Sequence, residues 1–149
     1  MEYDKGIVLA VLAVVILATP VSAQTAVDGD TIKLDGTTWR LFGIDASEKQ
    51  MCSGQALGIV AAGTLDSLMK GKTGTWEDRG RDRSGRSIGL RRADGRLLSA
   101  AMVALGMAWA FPRYSWDYVG HEERARRENL SVHAFRCQPA WEWRKEQHY

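Results

Sequence analysis

The stretch from residue 27 to residue 48 reads VDGDTIKLDGTTWRLFGIDASE. Within it, residues 31–34 alternate polar and apolar side chains, and Asp35-Gly36 follows as a typical tight turn. Residues 37–44 then continue with strand-forming side chains. The stretch therefore predicts a β-hairpin, with acidic side chains near both of its ends and one arginine among the strand residues.

The charges of this hairpin need compensation, because charged groups on a half-buried hairpin are costly unless a partner offsets them. The carboxylates are those of Asp28, Asp30, Asp45 and Glu48, and the cation is Arg40. If the second strand returns beside the first, Asp30, Asp45 and Glu48 gather at one end of the hairpin. Oxygen ligands of this kind favour calcium or magnesium, although their spacing does not fit an EF-hand loop. A phosphate group would suit Arg40.

Arg40 and Asp45 are separated by an odd number of positions, so a regular pleat would send their side chains to opposite faces. Gly43 lies between them and is a residue at which a bulge or twist can re-aim one side chain. The sequence therefore permits the two charges to meet, but the strand pattern alone does not require it.

The remaining pattern predicts an α+β domain built on a small barrel. Helices are predicted over residues 55–69, 100–105 and 117–128. Further strands are predicted over residues 86–92 and 107–111. Ser99 is expected to cap the second helix. Residues 132–144 are expected to be irregular, and Trp141 and Trp143 to fasten them to the barrel, with base stacking as the alternative.

The length of 149 residues and a hydrophobic content of 45% are those of one globular domain, and a net charge of +2 does not by itself indicate a nucleic-acid partner. Residues 6–20 form an apolar run that is short for a membrane span, and a small-residue cleavage site follows at Ala23. We predict a signal peptide over residues 1–23 and a domain over residues 24–149. Acidic residues in the initial MEYDK leave an N-terminal membrane anchor as the alternative.

The two cysteines, Cys52 and Cys137, agree with export, because an even count in an oxidising compartment suggests a disulfide. Two unpaired thiols are the alternative. The sequence contains no C-x-x-C motif and no Cys/His spacing typical of zinc. The segment HEER, residues 121–124, lacks the second histidine of a zinc protease motif.

A second charged segment, EDRGRDRSGRSIGL, covers residues 77–90. For most of it we predict a solvated loop of mixed charge. Arg86 differs because it follows Gly85 and opens a predicted strand. An arginine on a rigid element can offer a bidentate fork to phosphate.

Four segments taken together resemble the staphylococcal-nuclease-like (thermonuclease) family: VDGDTIKL, RLFGIDASE, DRSGRSIGL and LSAAMVALGMAWA. The resemblance runs in order over residues 26–134. It implies a five-stranded OB-fold β-barrel with three α-helices. It also implies a calcium-dependent phosphodiesterase that acts on DNA and RNA, cleaves the 5′-O–P bond and leaves 3′-phosphates.

The resemblance also implies roles for individual residues. Calcium ligands would be Asp30, Asp45 and the backbone carbonyl of Ala46. Phosphate-binding arginines would be Arg40 and Arg86, and Glu48 would activate water. Nucleic-acid contacts would come from Arg83 and Tyr114. The chain departs from the family at Ser47, where proline is usual, and around Phe111 and Pro112, where a second pocket tyrosine is replaced.

The prediction is an exported, calcium-dependent nuclease, secreted or periplasmic, or membrane-anchored on the exported side if the N-terminus stays attached. Its expected partner is DNA or RNA, and we expect a monomer without a stable protein partner. Two alternatives remain: a non-catalytic OB-fold module that binds nucleic acid or protein, and a small structural envelope protein.

Overall fold

The computed structural model describes residues 23–48 and 51–148 of the chain. Almost all of the predicted leader over residues 1–23 lies outside the described residues. Within the described ranges, no helix is both long enough and apolar enough to cross a membrane.

The described chain alternates strands and helices. The strands are β1 (Gln24–Asp28), β2 (Thr31–Leu34), β3 (Thr37–Leu41), β4 (Ile44–Ala46), β5 (Gly74–Arg81), β6 (Ser87–Ala93), β7 (Arg96–Leu97) and β8 (Ala108–Ala110). The helices are α1 (Leu57–Met69), α2 (Leu98–Ala104), α3 (Val119–Arg127) and α4 (Ala140–Glu146). One sheet has the order β1-β2-β3-β6-β5, with β7 on β6, and a second ladder joins β4 to β8. The α+β class with an OB-type sheet is thus confirmed; among the described residues the sheet has six strands, β7 included, and there are four helices where three were expected.

The predicted hairpin is present as β2 and β3, which pair antiparallel from Leu34↔Thr37 to Thr31↔Arg40. Asp35 and Gly36 make the turn with φ angles of +46° and +83°. Two successive residues with positive φ are typical of the type I′ turn, whose twist matches that of the flanking strands. This register brings Arg40 opposite Thr31, the residue after Asp30.

The second predicted strand is interrupted at Gly43, as its sequence position suggested. Gly43 has a φ of +78°, and an added Cβ would lie 2.7 Å from the Tyr118 ring. The chain leaves β3 here and forms β4, which pairs with β8 instead of continuing in the first sheet. This change of direction removes the odd-spacing obstacle between Arg40 and Asp45.

The main core lies between the sheet and the helices α1 and α2. Its members are apolar and almost fully buried, among them Ile32, Leu41, Leu65 and Met102. Burying each side chain of this size stabilises the fold by about 1.5–3 kcal/mol. The core holds β2, β3 and β4 together and so determines where the hairpin carboxylates lie.

A smaller apolar cluster holds the C-terminal segment. It contains Cys52, Trp109, Val132 and Ala140, with Cys137 packed against it. The predicted disulfide between Cys52 and Cys137 is present, with 5.2 Å between the Cα atoms. It fastens the chain just before α4 to the segment just before α1.

Three local predictions were wrong. Residues 77–81, predicted as part of a solvated loop, belong to strand β5, because residues 74–81 pair antiparallel along β6. The tail contains helix α4. Ser99 does not cap α2: Leu97 occupies the N-cap position, and the Ser99 hydroxyl donates to the Phe42 carbonyl at 3.0 Å.

Candidate functional site

Arg40 joins two buried carboxylates at the open end of the hairpin. Its Nη1 donates to Asp30 Oδ1 at 3.1 Å, and its Nη2 donates to Asp45 Oδ1 at 2.8 Å. The side chains of Asp30 and Asp45 are 1% and 0% exposed. Both carboxylates are therefore held by the protein on the inner side of the site.

Local geometry sets the orientation of Asp30. The residue lies in the turn between β1 and β2, and its Oδ1 accepts a hydrogen bond from the Thr31 hydroxyl at 2.9 Å. Its Oδ2 accepts from the backbone N–H of Ala46 at 2.7 Å. Ala46, a predicted ligand through its carbonyl, thus contacts Asp30 through its amide and ties β4 to the β1–β2 turn.

The electrostatics follow from burial. Burial raises the pKa of Asp30 to about 6, against the lowering effect of Arg40. Burial and the charge of Asp30 raise the pKa of Asp45, against the lowering effects of Arg144 and Arg40. Burial alone would disfavour the Arg40 charge, but Asp30 and Asp45 outweigh this effect and raise the pKa of Arg40. The site therefore favours additional positive charge.

A second arginine, Arg144, reaches Asp45 from the C-terminal helix. Arg144 Nη2 donates to Asp45 Oδ2 at 2.7 Å, and its Nη1 donates to Glu48 Oε1 at 3.3 Å. Sequence reasoning missed this residue because it lies in the segment predicted to be irregular. The sequence around Arg144 gave no sign of this contact, because Arg144 lies about a hundred positions from Asp45 and Glu48.

Arg40, Arg144 and Glu48 line a pocket of about 300 Å³. Its charged lining consists of four arginines and two carboxylates: Arg40, Arg83, Arg86 and Arg144, with Glu48 and Asp82. The lining is therefore positive in excess, which suits an anion.

Arg86 also lines the pocket and is held by Asp82. Its Nε donates to Asp82 Oδ2 at 2.6 Å, while Asp82 Oδ1 accepts the backbone N–H groups of Ser84 and Arg86, each at 2.9 Å. This turn before β6 gives the Arg86 side chain a defined position. Arg83, in the same turn, is exposed and lines the pocket.

Aromatic side chains form the outer wall. Tyr114 is exposed, and its ring centroid lies 5.2 Å from that of Phe111. Phe111 in turn contacts Trp141 of α4 at 5.1 Å between centroids, so the predicted fastening of the tail by Trp141 is observed. Phe111 therefore occupies the wall at the position where the family resemblance implied a tyrosine.

The structure brings together all the predicted charged residues of the site. Their carboxylates do not, however, surround a ready-made cation site. Asp30, Arg40 and Asp45 are in direct contact, while Glu48 lies at the pocket rim and is bonded through Arg144. Within residues 23–48 and 51–148, no three His, Cys, Asp or Glu side chains cluster in a way that would hold a metal ion. Chemically, the arrangement can bind a phosphate between arginines and can offer two hard carboxylates to a cation.

Comparison with known proteins identifies relatives of the chain by sequence. A sequence model of the family described as staphylococcal nuclease homologue matches residues 38–133. The chain is 36% identical over 126 aligned residues to an uncharacterized endonuclease of Escherichia coli O157:H7, covering 78% of this chain and 79% of that protein. It is 32% identical over 162 aligned positions to a micrococcal nuclease of Shigella flexneri, covering 91% of each. It is 30% identical over 162 positions to the protein ParB of Escherichia coli, covering 92% and 89%.

Proposed function

Because the chain belongs to the staphylococcal nuclease family and is a nuclease, we propose that it is an exported enzyme that needs calcium and leaves 3′-phosphates. The observation that carries the proposal is the Arg40 bridge between Asp30 and Asp45 at the edge of a pocket that also contains Arg86 and Glu48. A module that only bound nucleic acid would have no need for this combination of buried acids and arginines.

The donor set fits a hard divalent cation. Asp30 and Asp45 are buried, and burial raises the pKa of both carboxyl groups. Asp45 accepts two hydrogen bonds, from Arg40 and Arg144, whereas a carboxylate has about four lone-pair positions. Asp30 and Asp45, with the Ala46 carbonyl, would hold the ion. Calcium, which tolerates irregular and partly hydrated sites better than magnesium, suits this set.

When bound there, calcium would contribute charge that polarises the scissile phosphate and helps to orient water. The residues of the chain supply the rest. Arg40 and Arg86, which both line the pocket, bind the phosphoryl oxygens, whose charge grows in the transition state. Glu48, at the rim and in contact with solvent, accepts a proton from the attacking water. The new bond joins the water oxygen to phosphorus as the bond to the 5′-oxygen breaks, and the leaving 5′-oxygen takes up a proton from solvent.

The substrate is DNA or RNA, and the outer part of the pocket supports a role in holding the strand. Arg83 is positioned to contact a neighbouring phosphate, and the exposed ring of Tyr114 offers a face on which a base can stack. The Phe111 wall is apolar where a tyrosine would supply a hydroxyl. We therefore expect the chain to hold the base by stacking more than by hydrogen bonding at this position.

The Cys52–Cys137 disulfide supports export, since such bonds persist in oxidising compartments. We propose a secreted or periplasmic enzyme, produced with a signal peptide or with an N-terminal membrane tether over residues 1–23. The site lies within one chain, so we propose that the enzyme acts as a monomer.

The test is cleavage of labelled single-stranded DNA and RNA by the purified exported protein with calcium, with magnesium, or with a chelator. We expect cleavage with calcium, little with magnesium alone, none in chelator, and 3′-phosphate ends in the products. Asp45→Ala should weaken calcium activation, whereas Arg86→Ala should slow cleavage and leave calcium binding nearly intact. Full activity in excess chelator, or equal activity with either metal, would refute the proposed site.

A further inference from the structure

Helix α4 carries an arginine into the cation side of the site. Arg144 contacts Asp45, a proposed cation ligand, and Glu48, the proposed proton acceptor, with one guanidinium. Its side chain is 33% exposed, so it lies at the boundary between the buried carboxylates and solvent. No role of the proposed nuclease reaction described above requires this residue.

The position of Arg144 is set by structure on both sides of it. The Cys52–Cys137 disulfide fastens the chain before α4, and Ala140, the first residue of the helix, is buried in the same cluster. Trp141 packs against Phe111, which lies beside β8. Arg144 is therefore held near Asp45 by a helix that is anchored at its start and along its flank.

Arg144 binds the carboxylate oxygen of Asp45 that Arg40 does not bind. Arg40 binds Oδ1, and Arg144 binds Oδ2. A divalent cation that uses Asp45 must either displace Arg144 from Oδ2 or lie next to its positive charge. Displacing Arg144 costs free energy because its ion pair with Asp45 is lost. Placing the cation beside Arg144 costs free energy because the two positive charges repel each other. Binding of the cation and the Arg144–Asp45 pair therefore oppose each other.

We propose that Arg144 is an internal competitor of the cation and sets the affinity of the site for it. In the cation-free chain, Arg144 stabilises the Asp45 carboxylate. When a divalent cation binds, the guanidinium gives up Asp45 and keeps Glu48 as its partner. The residue would thus raise the cation concentration at which the site fills. This inference rests on the proposed function, because it takes Asp45 as a cation ligand.

Calcium binding to the purified protein, measured by isothermal titration calorimetry, tests the proposal without reference to activity. The variant is Arg144→Gln, and the matched control is Lys145→Gln, an exposed neighbour on the same helix with the same loss of charge. We expect Arg144→Gln to bind calcium about tenfold more tightly than the wild type, within the usual range of coupling between sites. Lys145→Gln should change the affinity by less than about twofold, as expected for a screened surface charge.

Arg144→Met, which keeps an unbranched apolar stem, serves as a second variant, and circular dichroism checks that each variant is folded. The two Arg144 variants should agree. Affinity equal to that of Lys145→Gln, or weaker than that of the wild type, would overturn the proposal.

Failure of the inference is distinct from failure of the proposed function. Calcium-dependent cleavage with equal affinities would overturn only the competition. Tighter binding by the Arg144 variants without any cleavage would uphold the competition and refute calcium-dependent catalysis. No calcium binding by any variant would overturn both.

Discussion

Replacing Arg40 with methionine should expose how much of the fold depends on the charge at the centre of the site. Methionine keeps an unbranched stem but removes the guanidinium that joins Asp30 Oδ1 and Asp45 Oδ1. Both carboxylates then remain buried without their shared cation. We expect the variant to fold and to be strongly destabilised in cation-free buffer.

The magnitude follows from burial. Removing one partner of a buried ion pair costs about 3–5 kcal/mol, because the other charge is left uncompensated. Asp45 keeps Arg144, and Asp30 keeps the Ala46 N–H, so we expect the lower end of that range, about 3 kcal/mol. With the denaturant dependence usual for a domain of this size, the urea midpoint falls by about 1–2 M.

The assay is urea unfolding followed by tryptophan fluorescence, at neutral pH and with chelator present. The control is Arg126→Met, which breaks a surface pair with Glu122 in α3, where the arginine side chain is 65% exposed. That loss should stay below about 1 kcal/mol. The double variant Arg40→Met, Asp30→Asn should recover part of the stability, since Asp30, unlike Asp45, has no contact with Arg144 to offset its charge. If the Arg40 variant loses no more stability than the control, the reasoning from buried charge is refuted.

Three further predictions concern other parts of the chain. Glu48→Gln should lower turnover by about 10²–10⁴-fold with little change in substrate affinity, because loss of a proton acceptor acts on the transition state. Single-turnover kinetics measure this effect. Near wild-type turnover would exclude Glu48 as the base. Replacing Cys52 and Cys137 with serine should lower the free energy of unfolding by up to about 4 kcal/mol, since the disulfide closes a long loop with a sequence separation of 85. Urea titrations measure the change, and unchanged stability would contradict the prediction. Burial lowers the pKa of His133 below 6.5, so its contribution to stability is present above that pH and is lost as the pH falls through the lowered value. His133→Leu should therefore flatten the acid limb of the unfolding free energy, and an unaltered limb would count against a buried neutral imidazole.

The parts of the site that lie within residues 27–48 were predictable because their signals are local. The Asp35-Gly36 turn determines the hairpin register, and the register brings Arg40 beside the start of β2. Gly43, with its positive φ, then turns the chain so that Asp45 meets Arg40. The sequence alone showed that such a turn was possible, whereas only the pairing of β4 with β8 makes it necessary.

The missed elements depend on partners distant in sequence. Strand β5 is exposed along almost all of its length, so it has no alternation of apolar residues, and its pairing with β6 is what makes it a strand. Helix α4 has seven residues, too few for an isolated helix to be stable in water. Ser99 resembles a helix cap in sequence, but the Phe42 carbonyl on another element takes its hydroxyl.

Arg144 was missed for two reasons: its partners are distant in sequence, and it lies on a short helix. The match to the family model does not reveal this residue either. The matching family segment ends at residue 133, before Cys137 and before α4 begins. The residues proposed for phosphate and cation binding therefore lie in or near the shared segment, whereas Cys137, Trp141 and Arg144 lie beyond it. A helix this short needs the disulfide and the Trp141 contact to keep its arginine on Asp45. In the proposed enzyme, the family segment thus supplies most of the groups that bind phosphate and cation, while the arginine proposed to lower the affinity for the cation comes from the C-terminal helix.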